Sequence, residues 1–225
     1  MSLSKNISAV RARVENAAQL AGRNPEDVRI LAVTKYSEAE IAREFAENGV
    51  LDLAENRVDK LLEKQAALSE LTEIRWHLIG NLQTRKVKDI INHVAVFHAL
   101  DSLKLAREID KRAAHVVDCL LEVNISGEAS KHGLMPDELT DTLFEALEQL
   151  TNVRIIGLMT MAPIDAENDE LTEIFGRAHE LQQRIASKKM HQIPCTELSM
   201  GMSQDFEVAI AQGATMVRIG REFLK

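Results

Sequence analysis

Three groups of residues in this chain carry side chains that could act on one small molecule. The first is Lys35, near the end of the apolar run ILAVTKY, residues 30–36. Alternation along an extended segment puts Leu31, Val33 and Lys35 on one face and Ile30, Ala32 and Thr34 on the other. An ammonium held against apolar neighbours is disfavoured in its charged form, which frees the amine to attack a carbonyl and form a Schiff base. The second group is LSMGMSQDF, residues 198–206, where Ser199, Gly201, Met202 and Ser203 lead into a helix start. Free backbone N–H groups, two hydroxyls and a glycine permitting close approach would make an anion cradle there. The third is Val217-Arg218-Ile219-Gly220, an inward cation followed by a glycine. Taken singly, each has an ordinary explanation: a solvated strand-end lysine, an N-cap by Ser203, a salt-bridged Arg218.

The elements that must position these residues are legible from periodicity. A helix is expected over residues 4–21, where Ile7, Val10, Val14 and Ala17 form a stripe ended by Gly22 and Asn24-Pro25. Strands are expected at 30–35, 50–54, 74–79, 94–99, 116–124, 153–160, 196–199 and 215–219. Helices between them are expected at 38–48, 58–68, 84–91, 102–114, 136–150, 174–185 and 203–212. Eight βα units argue for a parallel sheet closed into a (β/α)₈ TIM-type barrel with one extra helix in front. The competing open doubly wound sheet lacks a GxGxxG after the first strand. In such a barrel the chemistry collects at the C-terminal strand ends, and those ends read Lys35, Glu55-Asn56, His77, Asp101, Asn124, Met159 to Met161, Ser199 and Arg218.

Composition narrows the partners. No shift in composition or Pro/Ser-rich linker divides the 225 residues, so a single domain over 1–225 is expected. A net charge of −8 without a basic block argues against nucleic acid. No apolar run reaches the roughly 20 residues of a membrane helix, and the acid-bearing amphipathic N-terminus does not read as a secretory signal. Cys119 and Cys195 stand in no metal-type or CxxC spacing, which suits a reducing cytoplasm; Cys119 reads as core and Cys195 as the more exposed. The remaining histidines, His98 among them, form no HExxH or paired spacing, so no metal site is expected. Glu63-Lys64 and Lys188-Lys189 read as solvated charge. Nothing resembles an exposed apolar seam, and a monomer is expected.

Once the barrel closes, Lys35 on strand one neighbours the anion cradle of strands seven and eight. That combination suggests a phosphorylated aldehyde on Lys35, for which pyridoxal phosphate is the obvious choice. The segments LAVTKY, AENRVD, WHLIGNLQTRK, HALDSLKLA, LEVNISGEASKHG, GLMTMAP, LSMGMSQDFEVAIAQG and TMVRIG run in order through nearly the whole chain. Together they resemble the pyridoxal phosphate homeostasis proteins, related to the N-terminal barrel of alanine racemases. The resemblance implies that Lys35 links the cofactor, that Ser199, Gly201, Met202, Arg218 and Gly220 contact its phosphate and ring, and that Asn56 and His77 line the same mouth. Ala54 stands where glycine is common in the family, and Arg57 where many members carry tyrosine.

The resemblance further implies a protein that maintains cofactor supply without an established reaction, with apo-enzymes that use pyridoxal phosphate as receiving partners. One physical point agrees. A racemase needs an acid/base group on each face of the substrate carbanion. The chain has one tyrosine, Tyr36, which alternation turns away from Lys35, and no stretch is left over for the second domain that supplies the racemase tyrosine. No catalytic residue is therefore assigned. The alternatives are an amino-acid racemase or related enzyme using the same cofactor, and a Schiff-base aldolase in which Glu55 would be the acid/base group.

Overall fold

The computed structural model describes residues 2–129 and 131–225. Short runs rich in Val, Ile, Leu and Ala alternate with amphipathic helices, and strands of that composition are stable only when covered on both faces. The result is a closed parallel barrel: β1 (Arg29–Val33), β2 (Asp52–Glu55), β3 (Arg75–Leu78), β4 (Val96–Leu100), β5 (Val117–Glu122), β6 (Val153–Met159), β7 (Glu197–Met202) and β8 (Met216–Ile219) follow one another around the ring. β1 closes on β8, pairing Leu31 with Arg218 and Ala32 with Ile219. All C-terminal strand ends therefore open on one face, as the expected arrangement of polar residues required.

The outer ring is α2 (Ala39–Glu47), α3 (Val58–Ala67), α4 (Val87–Ile90), α5 (Leu103–Arg112), α6 (Asp141–Glu148), α7 (Asn168–Ala186) and α8 (Phe206–Ala211). The extra helix α1 (Leu3–Leu20) buries Ile7, Val10, Val14 and Ala18. Its Asn6 amide donates to the carbonyls of Phe223 (2.9 Å) and Lys225 (2.8 Å), tying the first helix to the C-terminal residues.

Several elements are shorter than expected, the helix expected over 84–91 being a 3₁₀ turn, Thr84–Lys86, followed by the four-residue α4, and in three others a local reason is evident. β1 stops at Val33 because the Ser37 N–H donates to the Thr34 carbonyl at 2.9 Å and closes a turn around Lys35 and Tyr36. The expected helix from Pro136 splits into a single 3₁₀ turn, Pro136–Glu138, and α6, whose start Thr140 caps through its hydroxyl and the Leu143 N–H. The helix expected from Ser203 starts at Phe206, because Ser203 to Asp205 form a turn closed by the Asp205 N–H on the Met202 carbonyl at 3.2 Å.

Candidate functional site

Lys35 lies beyond the end of β1. It occupies the turn after β1, exposed, with its ammonium 5.1 Å from the centre of the Tyr36 ring. Strand alternation ends at the turn, so Tyr36 stays beside Lys35 instead of facing away, and is itself 81% exposed. The expected apolar environment for this amine is absent.

What holds the turn lies directly beneath it. The Thr34 carbonyl, already an acceptor for Ser37, accepts a second hydrogen bond from Lys64 of α3 at 2.6 Å. The Thr34 hydroxyl donates to Glu55 Oε1 at 2.6 Å, and Lys64 pairs with the same carboxylate oxygen. Lys64 is thus buried and structural, not solvated charge. The stripe Leu61, Lys64, Leu68 (i, i+3, i+7) puts it on the inner face of α3, a signal the sequence contains.

A second polar system crosses the barrel interior. Asp52, the first residue of β2, meets His77 Nε2 at 2.8 Å; His77 Nδ1 meets His98 Nε2 at 2.9 Å; His98 Nδ1 meets Ser199 Oγ at 3.1 Å. The Arg218 guanidinium donates to Ser199 Oγ (2.7 Å) and to the Thr160 carbonyl (2.9 Å). Burial lowers the His77 pKa and takes that of His98 well below the ordinary histidine value. Burial alone would raise Asp52, but its bond to His77 and the charges of Arg75 and Arg29 bring it below the usual carboxylate range. Burial brings Arg218 down to about 10, against the pull of Asp205 and Glu122. Burial and nearby Asp101 raise the Glu122 carboxyl, and its Oε2 has no hydrogen-bond partner among the described residues.

Two expectations change here. His77 is not at the mouth; it is fully buried with both ring nitrogens engaged. Ser199 is also fully buried and belongs to the interior system, not to the anion loop. His98 and Asp52 escaped sequence reasoning, although three successive strands each carrying one inward polar residue among apolar ones is a readable sign.

The anion loop itself is narrower than expected. The Met202 N–H is taken by the Asp205 carboxylate, and the Gly220 N–H points to Ser203 Oγ at 3.4 Å. Among the described residues no acceptor meets the N–H groups of Ser203 and Gln204. Gly201, at φ +88°, serves packing: a Cβ there would come within 2.6 Å of the Ala209 Cβ. Asn56 is exposed in the bend after β2, and its carbonyl packs against Gly80, where a Cβ would approach to 2.1 Å. Arg57 points outward and pairs with Asp59 at 2.5 Å. Cys195, expected to be the more exposed cysteine, is fully buried, and burial pushes its thiol up to about 12.

Comparison with known proteins agrees with this architecture. The family described as "Alanine racemase, N-terminal domain" matches residues 6–221. A protein of Aquifex aeolicus named pyridoxal phosphate homeostasis protein is 40% identical over 223 residues, covering 98% of this chain and 96% of that one. The structure of PipY from Synechococcus elongatus, solved with PLP bound, superposes with a TM-score of 0.83 at 33% identity, covering 95% of this chain and all of the other. An alanine racemase of Clostridium difficile shares the fold alone, at 15% identity and TM-score 0.76, with 56% of its length covered. The eight-stranded barrel, the segment order and these full-length matches make the chain a member of the pyridoxal phosphate homeostasis protein family, built on the alanine racemase N-terminal barrel.

Proposed function

We propose that this protein holds pyridoxal 5'-phosphate as a Schiff base on Lys35 and contributes to intracellular supply of the cofactor, without catalytic turnover. The observation that carries the reading is the seam between β1 and β8. Lys35 leaves β1 two residues after Val33, and Gly220 leaves β8 so close to Val33 that a Cβ on it would come within 3.2 Å of the Val33 carbonyl oxygen. The Gly220 N–H points to Ser203 Oγ at 3.4 Å, so the loop after β7, with its spare N–H donors, adjoins the β8 end that lies against β1, the strand that leads to Lys35.

The donor set suits an anionic aldehyde. Lys35 offers the amine, Ser203 and Gln204 offer backbone N–H groups, and Gly220 lets the β8 loop lie against β1. Arg218 has five N–H donors, of which two hydrogen bonds use Ser199 and Thr160, leaving others for a ligand. The cofactor contributes an electrophilic aldehyde and a phosphate, the two groups these donors complement. Asn56 and Met202 flank the mouth, Gly201 shapes the loop, and Ser199 and His77 act through Arg218.

The lack of turnover is supported by how the nearby titratable groups are engaged. Glu55 is committed to Lys64 and Thr34, which disfavours the aldolase alternative. Both barrel histidines have each ring nitrogen occupied. The single tyrosine stands on the same turn as Lys35, not across from it. The names of the relatives and the PLP-bound PipY structure support the choice of ligand. In this reading residues 1–225 work as one domain, a cytoplasmic monomer that passes its cofactor to apo-enzymes.

The test is direct. Protein incubated with pyridoxal phosphate, reduced with borohydride and digested should carry the adduct on the Lys35 peptide, and a panel of D- and L-amino acids should not be turned over. A protein that takes up no cofactor would remove the reading, and rapid isomer exchange would restore the racemase.

A further inference from the structure

The interior system from Asp52 to Arg218 has only one consistent proton arrangement when both histidines are neutral. The Asp52 carboxylate accepts only, so His77 must present Nε2–H to it across 2.8 Å. A neutral ring with its proton on Nε2 has a lone pair on Nδ1, so His98 must donate its own Nε2–H across 2.9 Å. That leaves the His98 Nδ1 as an acceptor, which takes the Ser199 hydroxyl proton at 3.1 Å. Ser199 Oγ then turns a lone pair to the Arg218 Nη1–H at 2.7 Å. Every bond points the same way, Arg218 to Ser199 to His98 to His77 to Asp52, and such chains polarise one another. Arg75, 3.6 Å from Asp52, helps to keep the terminal carboxylate ionised.

We propose that Asp52, His77 and His98 are positioning residues: they form a one-way hydrogen-bond chain that orients the Ser199 hydroxyl and so fixes the Arg218 guanidinium beneath the mouth of the barrel. Asp52 lies at the N-terminal end of β2, whereas Arg218 is one residue from the C-terminal end of β8. The state of a carboxylate at one end of the barrel thus governs a cation near the other. Only the final link, from Arg218 to a bound cofactor, rests on the function proposed above.

Long-range ¹H–¹⁵N spectra of the unliganded, uniformly labelled protein at neutral pH read the tautomers directly. Both His77 and His98 should carry the proton on Nε2; either ring doubly protonated, or protonated on Nδ1, overturns the chain. The isosteric variant Asp52→Asn offers His77 an amide N–H in place of an obligate acceptor. It should shift both rings toward the Nδ1–H form and weaken retention of pyridoxal phosphate about fivefold, the worth of one ordinary hydrogen bond. Unchanged tautomers in Asp52→Asn would refute control by the carboxylate. Reversed tautomers with unchanged retention would refute the link to Arg218. Failure of the wild type to take up cofactor would count against the proposed function alone, because the tautomer result is read without ligand. A purely structural role for Asp52 would lower thermal stability and leave the tautomers as they are.

Discussion

Replacing Lys64 by methionine tests the support of the turn that carries Lys35 with the sharpest arithmetic. Lys64 and Glu55 have side chains 4% and 0% exposed, so neither charge can be rescued by water when its partner goes. The Thr34 carbonyl keeps its Ser37 bond, which limits the loss there to roughly 1 kcal/mol. Glu55 fares worse. It keeps only the Thr34 hydroxyl on Oε1, while its Oε2 already has no partner among the described residues. Removing one member of a buried ion pair costs about 3–5 kcal/mol, whereas replacing both by groups of similar shape is often neutral. Lys64→Met should therefore lower the unfolding free energy by about 3–5 kcal/mol. That corresponds to a fall in Tm of about 6–20 °C at roughly 2–4 °C per kcal/mol for a chain of this size. The double variant Lys64→Met/Glu55→Gln should recover most of the loss. Urea titrations followed by circular dichroism give both numbers. A single variant that loses less than about 1 kcal/mol, or a double variant that is merely additive, would refute the ion pair as the keystone of the turn.

Two other predictions concern charge. Arg218→Ala should weaken cofactor retention during dialysis more than Lys35→Ala does, because a charge-assisted contact survives without the covalent link; equal retention in wild type and Arg218→Ala would contradict it. Stability should also fall on acidification. His77 and His98 have folded pKa values below the unfolded one, so below about pH 6.5 the unfolded chain binds more protons, and each histidine costs up to about 1.4 kcal/mol per pH unit until its folded pKa is reached. Glu122, whose folded pKa is raised, acts in the opposite sense, so the histidine slope should steepen in Glu122→Gln when urea midpoints are compared between pH 7 and 5.

Much of the barrel was readable because strand and helix periods differ, and because each apolar run is bounded by polar or glycine residues. The order of eight strands, the extra helix and the closure of β1 on β8 all followed from it. The misjudged details share a cause: they depend on which way a side chain turns after regular structure ends. Alternation predicted a shielded Lys35, but a turn closed by Ser37 and Thr34 carries it into solvent. Ser199 and Ser203 look equivalent in the run LSMGMS, yet one faces the barrel interior and the other the loop. Lys64 was masked by its charge: the stripe with Leu61 and Leu68 marks the inner face of α3, but the partner that makes burial of a lysine tolerable, Glu55, lies on another element. The chain of Asp52, His77 and His98 spans three strands, so it shows only when the strands are compared with one another and not within any one segment.

The contact between Gly220 and Val33 also has a temporal side. β1 emerges early from the ribosome and β8 is the last of the eight strands to be made, so the two walls of the mouth coexist only after translation has reached the end of the barrel. In the proposed reading a nascent chain has no complete pocket, and capture of pyridoxal phosphate follows synthesis. A ligand gripping both loops then acts as a clasp on the joint between the strands most distant in sequence. At a hundredfold excess over its Kd it would add about 2.7 kcal/mol to the closed form, delivered where the ring would otherwise come open.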